Sequence, residues 1–264
     1  MRALLVLFLT SQLGFDDPEA YAIYSLFAAL CYLGPIVGGY VADRYTGFRA
    51  LVLLGSVILV AGHALMALSE LHDQLFFTGL GMIAVGSGLF KGNIANLLGC
   101  CYEPDDPERE RGFTLFYVAI NLGGFIAGIA CGYVAHLWGW HYGFGLAGIG
   151  MTAGLVMFLR FQYLLADHGL KPSQPPLKGA LPLKNVIHRL LWASIALSAL
   201  FGYMLLHAEL FAQLLSWSGI LILILLGKVI YSSEPHERPG MWTLVALIIF
   251  TLFFRKPSRK KLDN

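Results

Sequence analysis

The sequence predicts an all-α, multi-pass membrane protein, and three observations carry that prediction. Of its 264 residues 57% are apolar and only 13% charged, against roughly 25% charged in a soluble domain. Mean hydropathy is +0.68. Residues 50–69, 112–159, 190–208 and 210–227 contain no Asp, Glu, Lys or Arg. About 20 apolar residues span the hydrocarbon of a bilayer, so the first of these stretches holds one pass and the second is long enough for two. A soluble enzyme, a nucleic-acid binder and a disulfide-built secreted domain are excluded together, because none can hide this much apolar surface. The net charge of +2 is too small to argue for a polyanionic partner.

Nine passes follow in order: 1–15, 20–42, 50–69, 75–98, 112–136, 142–165, 185–206, 210–231 and 240–254. Asp16-Asp17-Pro18-Glu19 divides the first two, Tyr45-Thr46-Gly47 turns into the third, and Leu71-His72-Asp73 turns into the fourth. The charged run from Glu103 to Arg111 follows the fourth pass. Residues 167–184 read as a linker, since Pro175-Pro176 cannot continue a helix. This divides the chain into a bundle at 1–166, a cytoplasmic linker at 167–184, a helix pair at 185–231 and a further helix with a basic tail at 232–264. The first run resembles a secretory signal, but no small-residue cleavage site follows it, so it reads as membrane helix.

Positive charge orients the spans. Arg44 and Arg49, Arg109 and Arg111, and Arg160, Lys171, Lys178 and Lys184 fall in alternate loops, while 16–19, 70–74 and 137–141 have neither Lys nor Arg. The first helix therefore starts on the cytoplasmic side. The tail from Arg255 to Lys261 breaks the pattern. Met241 to Phe254 gives 14 uncharged residues, ~21 Å of helix, short of the ~30 Å core; the first pass is similarly short. Both ends read as spans cut partway, with a short re-entrant or interfacial helix as the other reading of the last.

Lys91 is the most informative position, the only charge between residues 74 and 102. An ammonium at membrane depth is costly unless paired or wetted, which marks a functional site; snorkelling is the competing account, but Lys91 lies ~11 Å from the cytoplasmic end of its helix. Tyr117 and Asn121, four apart, share a helical face and suit either a hydrogen-bonding solute cavity or interhelical contacts. Gly124, Gly128 and Gly132 continue at the same interval as a small-residue ridge for close packing. Tyr32 and Pro35 interrupt the apolar run of the second pass. At the turn after it, Asp43 suits the amides of a neighbouring helix start, and Arg44 and Arg49 suit carboxylates or lipid headgroups, between the close-packing Gly39 and Gly47; an ordinary charged turn accounts for the arginines but not the glycines. The four cysteines have neither metal-site spacing nor a disulfide framework. No metal-binding, nucleotide-binding or nucleophile motif occurs, so no enzymatic activity, metal or cofactor is expected.

Gly39 to Arg49 resembles the cytoplasmic signature of the major facilitator superfamily. More narrowly, Phe90-Lys91-Gly92-Asn93-Ile94 followed by Phe116-Tyr117-Val118-Ala119-Ile120-Asn121-Leu122-Gly123 resembles the proton-dependent oligopeptide transporter family, with Gly92 and Gly124 departing from its usual residues. The resemblance implies the amino-terminal six-helix bundle of a major facilitator fold, with an accessory helix pair as in prokaryotic members. It further implies proton-driven symport of di- and tripeptides across the inner (plasma) membrane of a prokaryote, with short peptides, protons and lipids as partners. Lys91, Tyr32, Tyr117 and Asn121 would line the peptide cavity, and Gly39, Asp43, Arg44, Gly47 and Arg49 would serve gating. In the family an E-x-x-E-R segment precedes a stretch like Met1 to Leu7, and a second bundle follows. The expectation is a chain truncated at both ends that does not transport by itself, since alternating access needs two repeats. A paired half-transporter, a channel and a major facilitator transporter of another small solute are the other readings.

Overall fold

The computed structural model of the chain describes residues 2–103, 105–170 and 183–208, with isolated residues at 211, 227, 228, 230, 231, 241–243 and 246. The chain divides into two compact units, Met1–Ala212 and Gln213–Asn264. The first holds every helix described below. The expected passes at 210–231 and 240–254, and the basic tail, lie largely or wholly outside the described residues.

Within residues 2–208, among those described, seven α-helices follow in chain order: α1 (Arg2–Ser11), α2 (Asp17–Val41), α3 (Phe48–Ala67), α4 (Asp73–Gly99), α5 (Glu108–Trp138), α6 (Trp140–Phe161) and α7 (Leu183–Leu206). Helices α2 to α7 are long and apolar enough to cross a membrane. The first is shorter than its apolar run suggested: it stops at Ser11, and Gly14 turns the chain with φ of +71°. Acidic residues stand in the first turns of α2 (Asp17, Glu19), α4 (Asp73) and α5 (Glu108, Glu110), where the helix dipole favours them. Pro18 enters α2 in its first turn, where its missing N–H costs nothing. Pro35 lies inside the same helix, which continues through it to Val41.

Helix α4 is the centre of the bundle, packed against α2, α3 and α7. It approaches each through glycine. Toward α3, Gly79 faces Gly62 and Gly86 faces Gly55; an added Cβ at Gly79 would lie 2.7 Å from the Gly62 carbonyl oxygen, and one at Gly86 3.0 Å from that of Gly55. The sevenfold spacing on both helices keeps these contacts on one stripe of an antiparallel pair. Toward α2, Gly88 meets Gly34, where a Cβ on either would stand 2.7 Å from the other's Cα. Toward α7, Gly81 meets Ser198 and Gly202. Without a hydrophobic drive between helices in lipid, such close backbone approach is what holds them. Phe8, Phe76 and Phe144 add an aromatic knot joining α1, α4 and α6, with centroids 4.6 Å (Phe8–Phe76) and 5.1 Å (Phe8–Phe144) apart.

The glycine ridge expected on α5 makes little of this packing. A Cβ at Gly124 or Gly128 would meet no described atom within 4 Å, and one at Gly132 would meet Leu4 at 3.3 Å. Helix α5 packs on α6 through its carboxyl-terminal end, where Cys131 and Ala135 are its only buried residues among those described, and Gly143 of α6 approaches both. Gly124 and Gly128 lie on the same stripe of α5 as Cys131 and Ala135, but nearer the start of the helix, at a level where no described atom lies within 4 Å of a Cβ on either. None of the four cysteines is in a disulfide.

Candidate functional site

The site is built where α2 and α4 cross. One turn past the Gly34–Gly88 contact, a Cβ at Gly92 would lie 3.4 Å from Cβ of Pro35. Lys91 is therefore at the level of the Tyr32 to Pro35 segment on the facing helix. The Lys91 side chain is exposed and borders a cavity of about 180 Å³. That cavity runs back into the bundle past Ser87, His63 and Cys31 among apolar side chains such as Phe27 and Phe144. Among the described residues no carboxylate pairs with Lys91. The next residue but one, Asn93, is fully buried; its amide donates to the Leu89 carbonyl at 2.7 Å, while its Oδ1 has no hydrogen-bond partner.

The other expected substrate contacts lie apart from that cavity, on open faces. Tyr32 is 63% and Tyr117 56% exposed, and Asn121 is exposed. The Asn121 amide donates to the Tyr117 carbonyl at 2.9 Å, so the two share one turn of α5 as their spacing requires. None of the three lines the Lys91 cavity. The open faces of α2 and α5 also expose Ile36, Val37, Val118 and Phe125.

Between α2 and α3 the signature turn has a defined structure. Ala42–Thr46 forms a π-helical turn, and Gly47 adopts φ of +76°, a region that only glycine enters cheaply. Gly47 is doubly required, because a Cβ there would also stand 2.7 Å from the carbonyl oxygens of Gly169 and Leu170. The backbone N–H of Arg49 donates to the Gly169 carbonyl at 3.0 Å, and its Nη2 donates to the Ala166 carbonyl at 2.8 Å. Arg49 thus differs from its expected pairing with a carboxylate or headgroup. It is buried on the carbonyl end of the 3₁₀ turn Gln162–Leu165 that closes α6, where the partial negative charge of a helix terminus attracts a cation. The effect is a strap that ties the end of α6 to the start of α3. Asp43 and Arg44 are half-buried and form no ion pair among the described residues, and a Cβ at Gly39 would meet nothing within 4 Å.

Two predictions arise here. Arg49→Ala removes a charge-assisted bond and leaves a carbonyl unpaired, so unfolding in detergent should become easier by about 1.5–3 kcal/mol, with Arg49→Lys recovering part. Cys100, just beyond α4, has its thiol pushed up by burial and then by the Asp43 carboxylate. Less thiolate means slower alkylation. Asp43→Asn should accelerate maleimide labelling of Cys100 near neutral pH while leaving the larger effect of burial in place; peptide mass mapping separates it from Cys101, and an unchanged rate would mean that the carboxylate does not act on this thiol.

Sequence reasoning singled out Lys91 but missed His63. The signal was present: a histidine within a pass that carries no Asp, Glu, Lys or Arg. Only the fold shows that it faces α4 and α6 and is 9% exposed. Among the described residues no cluster of His, Cys, Asp or Glu is arranged to hold a metal ion.

Comparison with known proteins gives these features a context. The PTR2 family model, described as the POT family, matches residues 49–254. Dipeptide and tripeptide permease A of Erwinia pyrifoliae is 31% identical over 264 residues, covering 98% of this chain and 52% of the permease. A structure concerning substrate recognition in proton dependent oligopeptide transporters superposes with a TM-score of 0.77 at 30% identity, over 96% of this chain and 54% of the other. A peptide transporter POT mutant in complex with alafosfalin gives a TM-score of 0.77 at 32% identity, over 94% and 52%. The chain spans about half the length of the relatives it matches. Its fold is the all-α, multi-pass helical bundle of the major facilitator type, and it is a multi-pass inner-membrane protein. With its family match extending over most of its length, the chain belongs to the POT family.

Proposed function

We propose that the chain is the amino-terminal portion of a proton-coupled symporter of di- and tripeptides, a transporter and not an enzyme. Residues 1–166 supply the bundle, 167–184 the linker, 185–231 the accessory helix pair and 232–264 the start of the next helix. Lys91, Tyr32, Tyr117 and Asn121 line the peptide path; Gly39, Asp43, Arg44, Gly47 and Arg49 gate its cytoplasmic end, with Gly124, Gly128 and Gly132 shaping the α5 face. The observation that carries this reading is the Lys91 ammonium, without a carboxylate among the described residues and at the mouth of a cavity, in a chain 31% identical to a dipeptide and tripeptide permease. An uncompensated cation at membrane depth is a receptor for a carboxylate, and every short peptide ends in one. Protons are the coupling ion and lipids the surroundings.

A second reading, a half that binds peptide without moving it, is favoured by the 52% coverage of the permease, because rocking-type access uses two repeats about one site. Uptake of labelled dialanine into vesicles under an inward proton gradient tests both. The chain completed with a carboxyl-terminal bundle from a relative should accumulate peptide, whereas the chain alone should only bind it. Accumulation of another solute class without peptide would transfer the assignment to a different major facilitator substrate.

A further inference from the structure

Another cavity, of about 530 Å³, lies away from Lys91 between the ends of α4, α5 and α6. Its walls include Ile94 and Leu98 of α4, Phe116 of α5, and Met157 and Phe161 of α6. Gln162 and Cys101 are the only lining side chains able to donate a hydrogen bond, and the Cys101 thiol already donates to the Leu97 carbonyl at 3.4 Å. A bound water needs two to four polar partners, so these walls suit hydrocarbon. The cavity is a groove and not a sealed void, since Met157 is 64% and Leu164 70% exposed on its rim. It exists because α5 and α6 touch at Cys131, Ala135 and Gly143 and part from there. A Cβ at Gly124 or Gly128 of α5, or at Gly150 or Gly154 of α6, would meet no described atom within 4 Å. From Gly154 to Leu165 the groove follows the end of α6 and the 3₁₀ turn after it, about 16–19 Å by helical rise. The hydrocarbon depth of one bilayer leaflet is ~15 Å.

The charges at the groove's end say what kind of molecule enters it. Arg109, Phe113 and Phe116 form one stripe of α5, leading from a guanidinium to the groove wall. The Arg109 guanidinium lies over the Phe113 ring, 5.9 Å from its centroid, and its Nη2 would stand 3.9 Å from a Cβ at Gly99, next to the lining residue Leu98. Arg160, in the last turn of α6, shares a stripe with the lining residues Met157 and Leu164 and is exposed. Guanidinium groups match phosphate oxygens in geometry and charge. Carboxylates stand beside them: Glu108, paired with Arg111 at 3.2 Å, then Glu110, and Glu103, Asp105 and Asp106 in the preceding loop. A headgroup of purely negative charge is repelled by these, whereas one that joins a phosphate to an ammonium suits both signs. We propose that the groove between α4, α5 and α6 is a binding site for one zwitterionic phospholipid, with an acyl chain against Phe116, Met157 and Phe161 and the phosphate at Arg109 and Arg160. The lipid fills the gap where α5 and α6 part, replacing the dispersion contacts that an unfilled space forfeits. This site is separate from the Lys91 cavity and does not rest on the symport reading.

The test titrates the delipidated full chain in detergent with phosphatidylcholine carrying a diazirine on one acyl chain. Native mass spectrometry should show binding that saturates at one lipid per chain, and illumination should label peptides holding residues 94–101 and 154–165. Gly154→Phe fills the groove from a position where a Cβ has room, and it should abolish the saturable adduct. Gly39→Phe is the control, placing the same ring on α2 where a Cβ also has room, and it should leave the adduct unchanged. Arg109→Gln should weaken binding by about tenfold or more, the loss of one charge-assisted contact. Diacylglycerol with the same acyl chains should bind more weakly by a similar factor, and phosphatidylglycerol less tightly than phosphatidylcholine. Labels spread evenly over α2 to α7, an adduct that survives Gly154→Phe, equal affinity for phosphatidylcholine and diacylglycerol, or tighter binding of phosphatidylglycerol would each overturn the proposal. So would a dimer of the chain that Gly154→Phe dissociates, because a second copy would then occupy the groove. The labelling map and the Arg109→Gln titration stand even if the phenylalanine variant fails to fold.

Discussion

Gly88→Ala should separate α2 from α4 and cost the bundle about 1–3 kcal/mol or more, the range for forcing a methyl into a filled contact. The methyl would stand 2.7 Å from Cα and 2.9 Å from the carbonyl carbon of Gly34. Backbone atoms on both sides cannot rotate away as a side-chain tip would, so the helices must part. Gly39→Ala is the matched control. It places the same methyl in the same pair of spans where no atom lies within 4 Å, and the better helix propensity of alanine favours it by about 1 kcal/mol. Unfolding of the purified chain in mixed micelles reads both. Gly88→Ala should move the midpoint down and Gly39→Ala leave it unchanged or raise it; equal effects would mean that the α2–α4 crossing is not a close contact.

Lys91→Ala should weaken dialanine binding by roughly 10-fold to 150-fold, the equivalent of losing one charge-assisted contact of about 1.5–3 kcal/mol. In a transporter completed with a second bundle it should abolish gradient-driven accumulation at matched membrane abundance. Insertion should survive, because removing a lysine from a span makes it easier to insert. Lys91→Arg keeps the charge but replaces a compact ammonium with a planar fork, so partial binding is expected. Undiminished binding in Lys91→Ala would remove the carboxylate-receptor role and leave snorkelling as the account of this residue.

The six spans from α2 to α7, their order and the identity of Lys91 as the exceptional charge were legible from the sequence. Run length, charge exclusion and the position of one cation along one helix are properties of a line of residues, and the bilayer reads them in the same way. The cytoplasmic signature was legible as a special turn, and Gly47 and Arg49 stand where it placed them. Their partners were not legible. Arg49 could have sought a carboxylate or a headgroup, and it is the path of the chain after α6, more than a hundred residues on, that brings the Ala166 carbonyl to its guanidinium.

The same distinction separates the glycines and the histidine. Composition showed that small residues recur inside the spans, and the four-residue spacing on α5 looked the clearest of them. Close approach instead fell on α4, at Gly79, Gly81, Gly86 and Gly88, because a glycine packs only when another helix presents a gap at the same height and azimuth. His63 and Lys91 are 28 residues apart on successive helices, and nothing in their spacing joins them. The sequence by itself determined that this protein crosses the membrane repeatedly and carries a cation at depth. Only the tertiary structure decided which groups share that cation's chamber, since depth in a bilayer follows from the order of residues along one helix, while neighbourhood depends on how several helices rotate against one another.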